Sequence, residues 1–252
     1  MATGESLRSL AFSFRISQGY ISRIIHLVVK SLSLRLTPLL IAPPTKHNLI
    51  HIAEEFWKKW NFPNCTGAID GKHIRIFCPG KSGSLFFNYK DFFSVVLLAI
   101  VDANCKFIFV DIGAYGEYFP CDAKLPNCEK SLPYVHVGDE AFRLETHMMR
   151  PYTRGEAKKY YKKTIFNYRL SRARRTSENA FGLLSQVFQS TNNYYYEFDK
   201  NEAPPTKNMI PIARSGGFAN YEGFLVRDEF TTFFCSTQGS VPWQDHETQK
   251  ID

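Results

Sequence analysis

The chain contains no Cys-x-x-Cys pair, and its six cysteines (Cys65, Cys78, Cys105, Cys121, Cys128 and Cys235) fall at irregular intervals. That spacing supports neither a zinc ligand set nor a disulfide framework, and it implies reduced thiols in a cytosolic or nuclear setting. No stretch approaches the roughly 18 to 20 consecutive apolar residues that cross a bilayer. The apolar run from Ile21 to Val29 is broken by Arg23 and His26 and lacks the layout of a signal peptide. Internal repeats are missing as well. The expectation is a soluble, intracellular protein. Excess charge is small too: +7 over 252 residues permits a polyanionic partner without requiring one. A hydrophobic content of 44% with 15% aromatics excludes wholesale disorder. The length suffices for one substantial core and a small appendage.

Periodicity divides the chain into four parts. Residues 1–36 predict a helix-turn-helix-like helical segment. Its first helix covers Leu7–Phe12, and Ser17 caps a second helix that sets Ile21, Ile24, Ile25, Val28 and Leu32 on one face. In a DNA-reading unit of this kind, Gln18, Tyr20, Ser22 and Arg23 would face the groove; any two packed helices share the same periodicity. Residues 37–61 read as a linker, marked by Pro38 and Pro43-Pro44, and a helix that carries Leu49, Ile52, Ala53, Phe56 and Trp60. Residues 62–188 hold strand-like runs at Gly67–Phe77, Phe92–Val101, Phe107–Ile112 and Tyr134–Val137, then a long helix from Ile165 to Phe188. The unbroken apolar run Val95–Val101 suits a strand covered on both faces. Strands followed by a packing helix predict an α/β sheet core. Residues 189–252 are expected to form an irregular tail with one helix over 221–234.

Three acids stand in distinctive contexts. Asp70 lies in Thr66-Gly-Ala-Ile-Asp-Gly-Lys-His-Ile-Arg-Ile76, Asp139 in Tyr134-Val-His-Val-Gly-Asp-Glu-Ala-Phe142, and Glu178 in Arg174-Arg-Thr-Ser-Glu-Asn-Ala-Phe-Gly182. Two aspartates at strand ends and a glutamate on a helix can converge on a pair of Mg²⁺ or Mn²⁺ ions, the arrangement that phosphodiester chemistry uses. Singly, each has a plainer reading, because an aspartate after a strand commonly caps a turn. Arg169, Arg172, Arg174 and Arg175 crowd just before Glu178, with Lys158, Lys159, Lys162 and Lys163 upstream. Such a run is either a solvated helix face or a surface for DNA phosphates. Asp102 and Asp111 read as turn or structural residues, and His73 and His136 as packed or exposed strand residues rather than metal ligands.

Phe62-Pro-Asn-Cys-Thr-Gly-Ala-Ile-Asp-Gly-Lys-His-Ile-Arg-Ile76, Phe166-Asn-Tyr-Arg-Leu-Ser-Arg-Ala-Arg-Arg175 and Glu178-Asn-Ala-Phe-Gly182 together resemble the DDE superfamily endonuclease domain of PIF/Harbinger transposases and their domesticated relatives. Ser13-Phe-Arg-Ile-Ser17 and the pair Arg227-Asp-Glu-Phe230 and Val241-Pro-Trp-Gln244 resemble insect-type members, so the likeness extends over nearly the whole chain. The resemblance implies an RNase H-like mixed sheet flanked by helices and a divalent metal cofactor, Mg or Mn. It also implies DNA cleavage in which Asp70, Asp139 and Glu178 are both the catalytic acids and the metal ligands. A nuclear location and a Myb-like DNA-binding partner follow from the same likeness, which leaves room for a homo-oligomer. Two departures are visible. Glu117-Tyr-Phe-Pro-Cys-Asp-Ala-Lys124 replaces the family's Asp-Gly-containing stretch, and residues 189–220 lack the apolar helix found in relatives. They set a second expectation, a catalytically inactive DNA-binding or scaffold protein of the same descent.

Overall fold

The computed structural model describes residues 5–76, 78, 80, 82–110, 119–187 and 220–248. The expected strand ends at Phe77 and Ile112, the helix end at Phe188, Asp111, the stretch after Gly113 as far as Tyr118, and the irregular segment 189–219 lie outside the described residues.

A long strand, β1 (Cys65–Arg75), is the centre of the sheet. Its first half is buried throughout, while its second half emerges toward solvent. On one side it pairs antiparallel with β2 (Ser94–Val101), which pairs antiparallel with β3 (Phe107–Val110). On the other side it runs parallel to β6 (Val135–Val137), itself parallel to β7 (Met148–Met149). The result is a five-stranded mixed sheet of order β3-β2-β1-β6-β7. A separate two-stranded ribbon joins β4 (Ala123–Lys124) to β5 (Ser131–Leu132). The short strands β4, β5 and β7, of two residues each, carry too few positions to show a period of two in sequence.

Helices flank this sheet, giving a mixed α/β architecture. α3 (Lys46–Trp60) begins in a Thr45–Asn48 capping box and buries Leu49, Ala53 and Phe56 against β1. It ends at Asn61 in the left-handed conformation. After the short α4 (Arg154–Lys159), α5 (Tyr161–Val187) packs on β1 and β2 and buries Ile165, Phe166, Leu170, Ala173 and Phe181. α6 (Tyr221–Phe234) closes the core: Phe230, Phe233 and Phe234 join Phe56, Phe62 and Phe166 in one cluster of buried rings. A final short helix, α7 (Gln244–Thr248), lies on α5. The helix expected over 221–234 is therefore part of the core. Phe230, Phe233 and Phe234 stand at i, i+3 and i+4, so they share the face of α6 that meets this cluster.

The N-terminal helices α1 (Leu7–Phe14) and α2 (Gln18–Leu40) pack on each other. Ser17 caps α2 by accepting a hydrogen bond from the Tyr20 amide at 3.3 Å. α2 runs four residues past the expected boundary at 36, so the linker begins later than the prolines predict. Pro38 sits in the last turn, where the helix forfeits one ladder bond and still retains Ile41 N to Thr37 O at 2.9 Å.

Candidate functional site

The parallel pairing of β1 and β6 aligns Ala68 with Val137. Asp70 stands two residues further along β1, and Asp139 two residues past Val137, just beyond the end of β6, so the parallel pairing brings the segments that carry the two acids together. Because strand side chains alternate, Asp70 shares a face of β1 with the fully buried Ala68, and both Asp70 and Asp139 are half-buried. They lie where that core face opens to solvent. Gly138 permits the approach: a Cβ there would lie 2.9 Å from Cγ2 of Ile69 and 2.7 Å from Cδ2 of Phe142.

α5 presents Glu178 to the same place. Lys72, two residues beyond Asp70 and on its face of β1, donates from Nζ to the Phe181 carbonyl at 3.4 Å and to the Ser185 hydroxyl. Positions 178, 181 and 185 follow the helical repeat, so the lysine that anchors Phe181 and Ser185 orients the row that carries Glu178. The Phe181 ring also meets Phe107 of β3 edge-on at 5.4 Å. Glu178 itself is exposed.

The electrostatics follow the geometry. Burial raises the Asp70 carboxyl above the ordinary range, and the negative charges of Asp139 and Glu178 add to the rise. The Gly71 amide, which donates to Asp70 Oδ1 at 2.8 Å, and the Arg174 guanidinium oppose it. Three acids and one arginine thus occupy one electrostatic neighbourhood. Asp139 accepts a hydrogen bond from the Ala141 amide at 3.0 Å, so it does cap its turn. That bond engages one carboxylate oxygen, and the second can serve a ligand.

The donor chemistry fits a hard divalent cation, since all three side chains offer anionic oxygen and neither sulfur nor imidazole intrudes. The side-chain positions fit less well. Among the described residues, no three His, Cys, Asp or Glu side chains are gathered closely enough to enclose a metal ion. The elements bring the acids to one mouth of the sheet without closing a ligand shell.

The basic run divides on inspection. Arg169 is fully buried, which corrects the expectation that it faces DNA. Its Nε donates to the Asn61 carbonyl at 3.0 Å, and its Nη1 donates to Gly239 O at 3.2 Å and Gln244 Oε1 at 3.0 Å. Its guanidinium also lies 4.5 Å from the centre of the Phe234 ring. Burial lowers its pKa to about 10. Arg169 ties α3, α5 and the C-terminal segment together. Arg172 stacks on Trp243 at 4.0 Å and is half-buried. Arg174, also half-buried, has an Nε with no hydrogen-bond partner among the described residues, and Arg175 is exposed. Gln18, Tyr20 and Arg23 are exposed on α2. Sequence reasoning missed Lys72 and Gly138. The signal for Lys72 was its spacing of two from Asp70, which puts both on one strand face.

Other groups have structural duties. Asp102 is a turn residue, its Oδ1 accepting from the amides of Asn104 at 2.8 Å and Lys106 at 2.9 Å. His73 shares a hydrogen bond with Ser94 at 2.8 Å. His136 is buried beside Thr66 Oγ1 at 3.1 Å and the Phe119 ring at 4.9 Å. Burial first, and the neighbouring His147 second, lower its pKa to about 3.

No solved structure matches the chain significantly. A curated relative from Arabidopsis thaliana, Protein ALP1-like, is 28% identical over 226 residues, which cover 81% of this chain and 54% of that protein. The chain therefore spans about half the length of that relative. The profile of the DDE superfamily endonuclease family matches residues 69–206, more than half of the chain, beginning one residue before Asp70 and including Asp139 and Glu178. With its mixed sheet flanked by helices, consistent with an RNase H-like DDE fold, the chain belongs to the DDE superfamily endonucleases.

Proposed function

We propose that this protein is a transposase-derived, divalent-metal-dependent DNA endonuclease in which Asp70, Asp139 and Glu178 are the catalytic acids. The observation that supports the reading is that Asp139 and Glu178 both lie within electrostatic reach of Asp70, with Asp139 two residues past Val137, the β6 residue paired with Ala68. The resemblance of the flanking motifs to PIF/Harbinger proteins supports the same assignment. Asp70 and Asp139 would hold Mg²⁺ or Mn²⁺ from the strand side and Glu178 from the helix side. Such a cation, when bound, activates the attacking water and stabilises the leaving oxygen. Arg174, within electrostatic reach of Asp70, can fix a phosphate of the scissile strand, and Arg175 can bind backbone further along α5. A DNA substrate makes the nucleus the working compartment, and a Myb-like partner would then supply part of the target recognition.

The test is nicking of supercoiled plasmid in Mg²⁺ or Mn²⁺. Cleavage by the wild type that vanishes in Asp70→Asn and in Glu178→Gln supports the reading. Cleavage unchanged in both variants refutes it. A second reading, a DNA-binding protein without cleavage, is favoured by the unclosed ligand shell. DNA affinity with a steep salt dependence and no metal-dependent nicking would select it.

A further inference from the structure

The second half of β1 carries a cluster of rings and cations that the acidic site does not use. β6 pairs only with Cys65–Ala68, so among the described residues β1 has no partner on that side from Asp70 to Arg75. Asp70 and Lys72 take the face that α5 covers, and His73 and Arg75 take the opposite face. There the Arg75 guanidinium lies 4.4 Å from the centre of the Phe92 ring, and Lys90 Nζ lies 5.5 Å from that of Tyr89. His73 meets both rings edge-on, at 5.7 Å from Tyr89 and 6.5 Å from Phe92. Hydrogen bonds fix the cluster. Ser94 Oγ joins His73 at 2.8 Å and accepts from the Asn88 carboxamide at 2.7 Å. Asn88 Oδ1 in turn accepts from the Lys90 amide at 2.8 Å, closing the turn that carries Tyr89. The surface is nevertheless open: Tyr89 is 68% exposed, and Val96, the register partner of His73, is 43% exposed.

We propose that this face binds single-stranded DNA, with an unpaired base stacked on the Tyr89 ring and neighbouring phosphates at Arg75 and Lys90. Charge is the first argument for that occupant. From Gly71 to Leu98 the sequence sets Lys72, Arg75, Lys81 and Lys90 against a single acid, Asp91, a balance that suits a polyanion. Ring exposure is the second. Lone exposed rings need no explanation, but here each ring is paired with a cation, the combination that single-strand platforms use. Within a duplex each base face is covered by its neighbour, whereas an unpaired base offers a free face to an aromatic side chain. An apolar protein surface would instead bury Arg75 and Lys90 without partners, which is costly. The unpaired edge of β1 supplies continuity. His73 and Arg75 stand about 10 and 17 Å along the strand from Asp70, so DNA whose phosphate lies at Asp70 can round that edge and reach the rings. The binding belongs to the face itself and does not require that the acids cleave.

Fluorescence anisotropy of the full chain with a labelled oligothymidylate of about 12 nucleotides, within the range such platforms occupy, tests this in chelator. The wild type should bind it. Tyr89→Ala should weaken that binding about fivefold or more, the loss of one stacked base, and Tyr89→Phe should retain it. Affinity for the same tract annealed to oligodeoxyadenylate should change by less than about twofold in Tyr89→Ala, because the duplex offers the ring no open base face. Lys90→Gln should lower the slope of log affinity against log salt by about 0.7, the value for one phosphate of a single strand. If Tyr89→Ala does not fold, Tyr89→Leu keeps the bulk, removes the aromatic face and should show the same loss. A wild type that does not bind the oligonucleotide overturns the proposal. So does single-strand affinity that the folded variant leaves unchanged, or a loss of equal size for single strand and duplex. Binding of polyglutamate in place of the oligonucleotide would also overturn it and assign the face to an acidic protein segment.

Discussion

Asp70 stands under conflicting demands, because the core face that positions it also desolvates it while two other carboxylates lie close by. Removing its charge should relieve the fold and impair the site at once. In chelator at neutral pH, Asp70→Asn should melt at a higher temperature than the wild type. Millimolar Mn²⁺ should raise the wild-type melting temperature and raise that of Asp70→Asn much less, since a cation that binds only the folded state stabilises it by mass action. Nicking should fall by more than about 100-fold, because even partners one shell removed from a metal are worth 10- to 100-fold. Equal thermal shifts in the two proteins would place the cation elsewhere. His136 makes an independent prediction. Its folded pKa of about 3 lies below the ordinary value of 6.5. The unfolded chain therefore takes up the proton first, and stability falls as pH drops through 6.5 toward 3. Urea midpoints should show this acid slope reduced in His136→Asn by up to about 1.4 kcal/mol per pH unit.

At the scale of elements, the site depends on two alignments, strand to strand and strand to helix. Gly138 governs the first. Gly138→Ala forces a methyl group against Ile69 and Phe142. It should cost roughly 1–3 kcal/mol in chemical denaturation, as overpacking does, and it should slow nicking by separating Asp139 from Asp70. Lys72 governs the second. Lys72→Met keeps the stem that packs between β1 and α5 but loses the bonds to Phe181 and Ser185. Stability should change by only about 1 kcal/mol. The nicking rate at saturating DNA should nevertheless drop while DNA affinity holds, because Glu178 loses its fixed row. A parallel loss of affinity would show Lys72 to be a DNA contact instead. The periodicities of β1, β2, α3 and α5 were legible because each buries a continuous face. The two-residue strands were not, since their pairing depends on neighbours distant in sequence.

At the scale of the molecule, the basic run of α5 separates into structure and surface. Arg169→Ala strips partners from the carbonyls of Asn61 and Gly239 and from Gln244. It should destabilise the fold by roughly 3 kcal/mol or more, as broken buried networks do. Arg175→Ala should leave stability nearly unchanged and lower the slope of log affinity against log salt by about 0.9 if that residue neutralises one phosphate. An unchanged slope would remove Arg175 from the interface. The four arginines share a residue type and one short stretch, and in sequence nothing distinguished the buried one. Arg169 is internal because α3 ends at Asn61 with a carbonyl turned toward it, and because the segment after α6 returns to enclose it.

By itself the sequence determined the strand-and-helix alternation, the three acidic contexts and their order, and the face of α2 that carries apolar residues. Those are properties of local spacing, and spacing is written in the chain. The tertiary structure pairs two strands some 70 residues apart in parallel, and this brings together the segments that carry Asp70 and Asp139. It decided that α6 completes the core, because periodicity shows that Phe230, Phe233 and Phe234 share a face but not which rings that face meets.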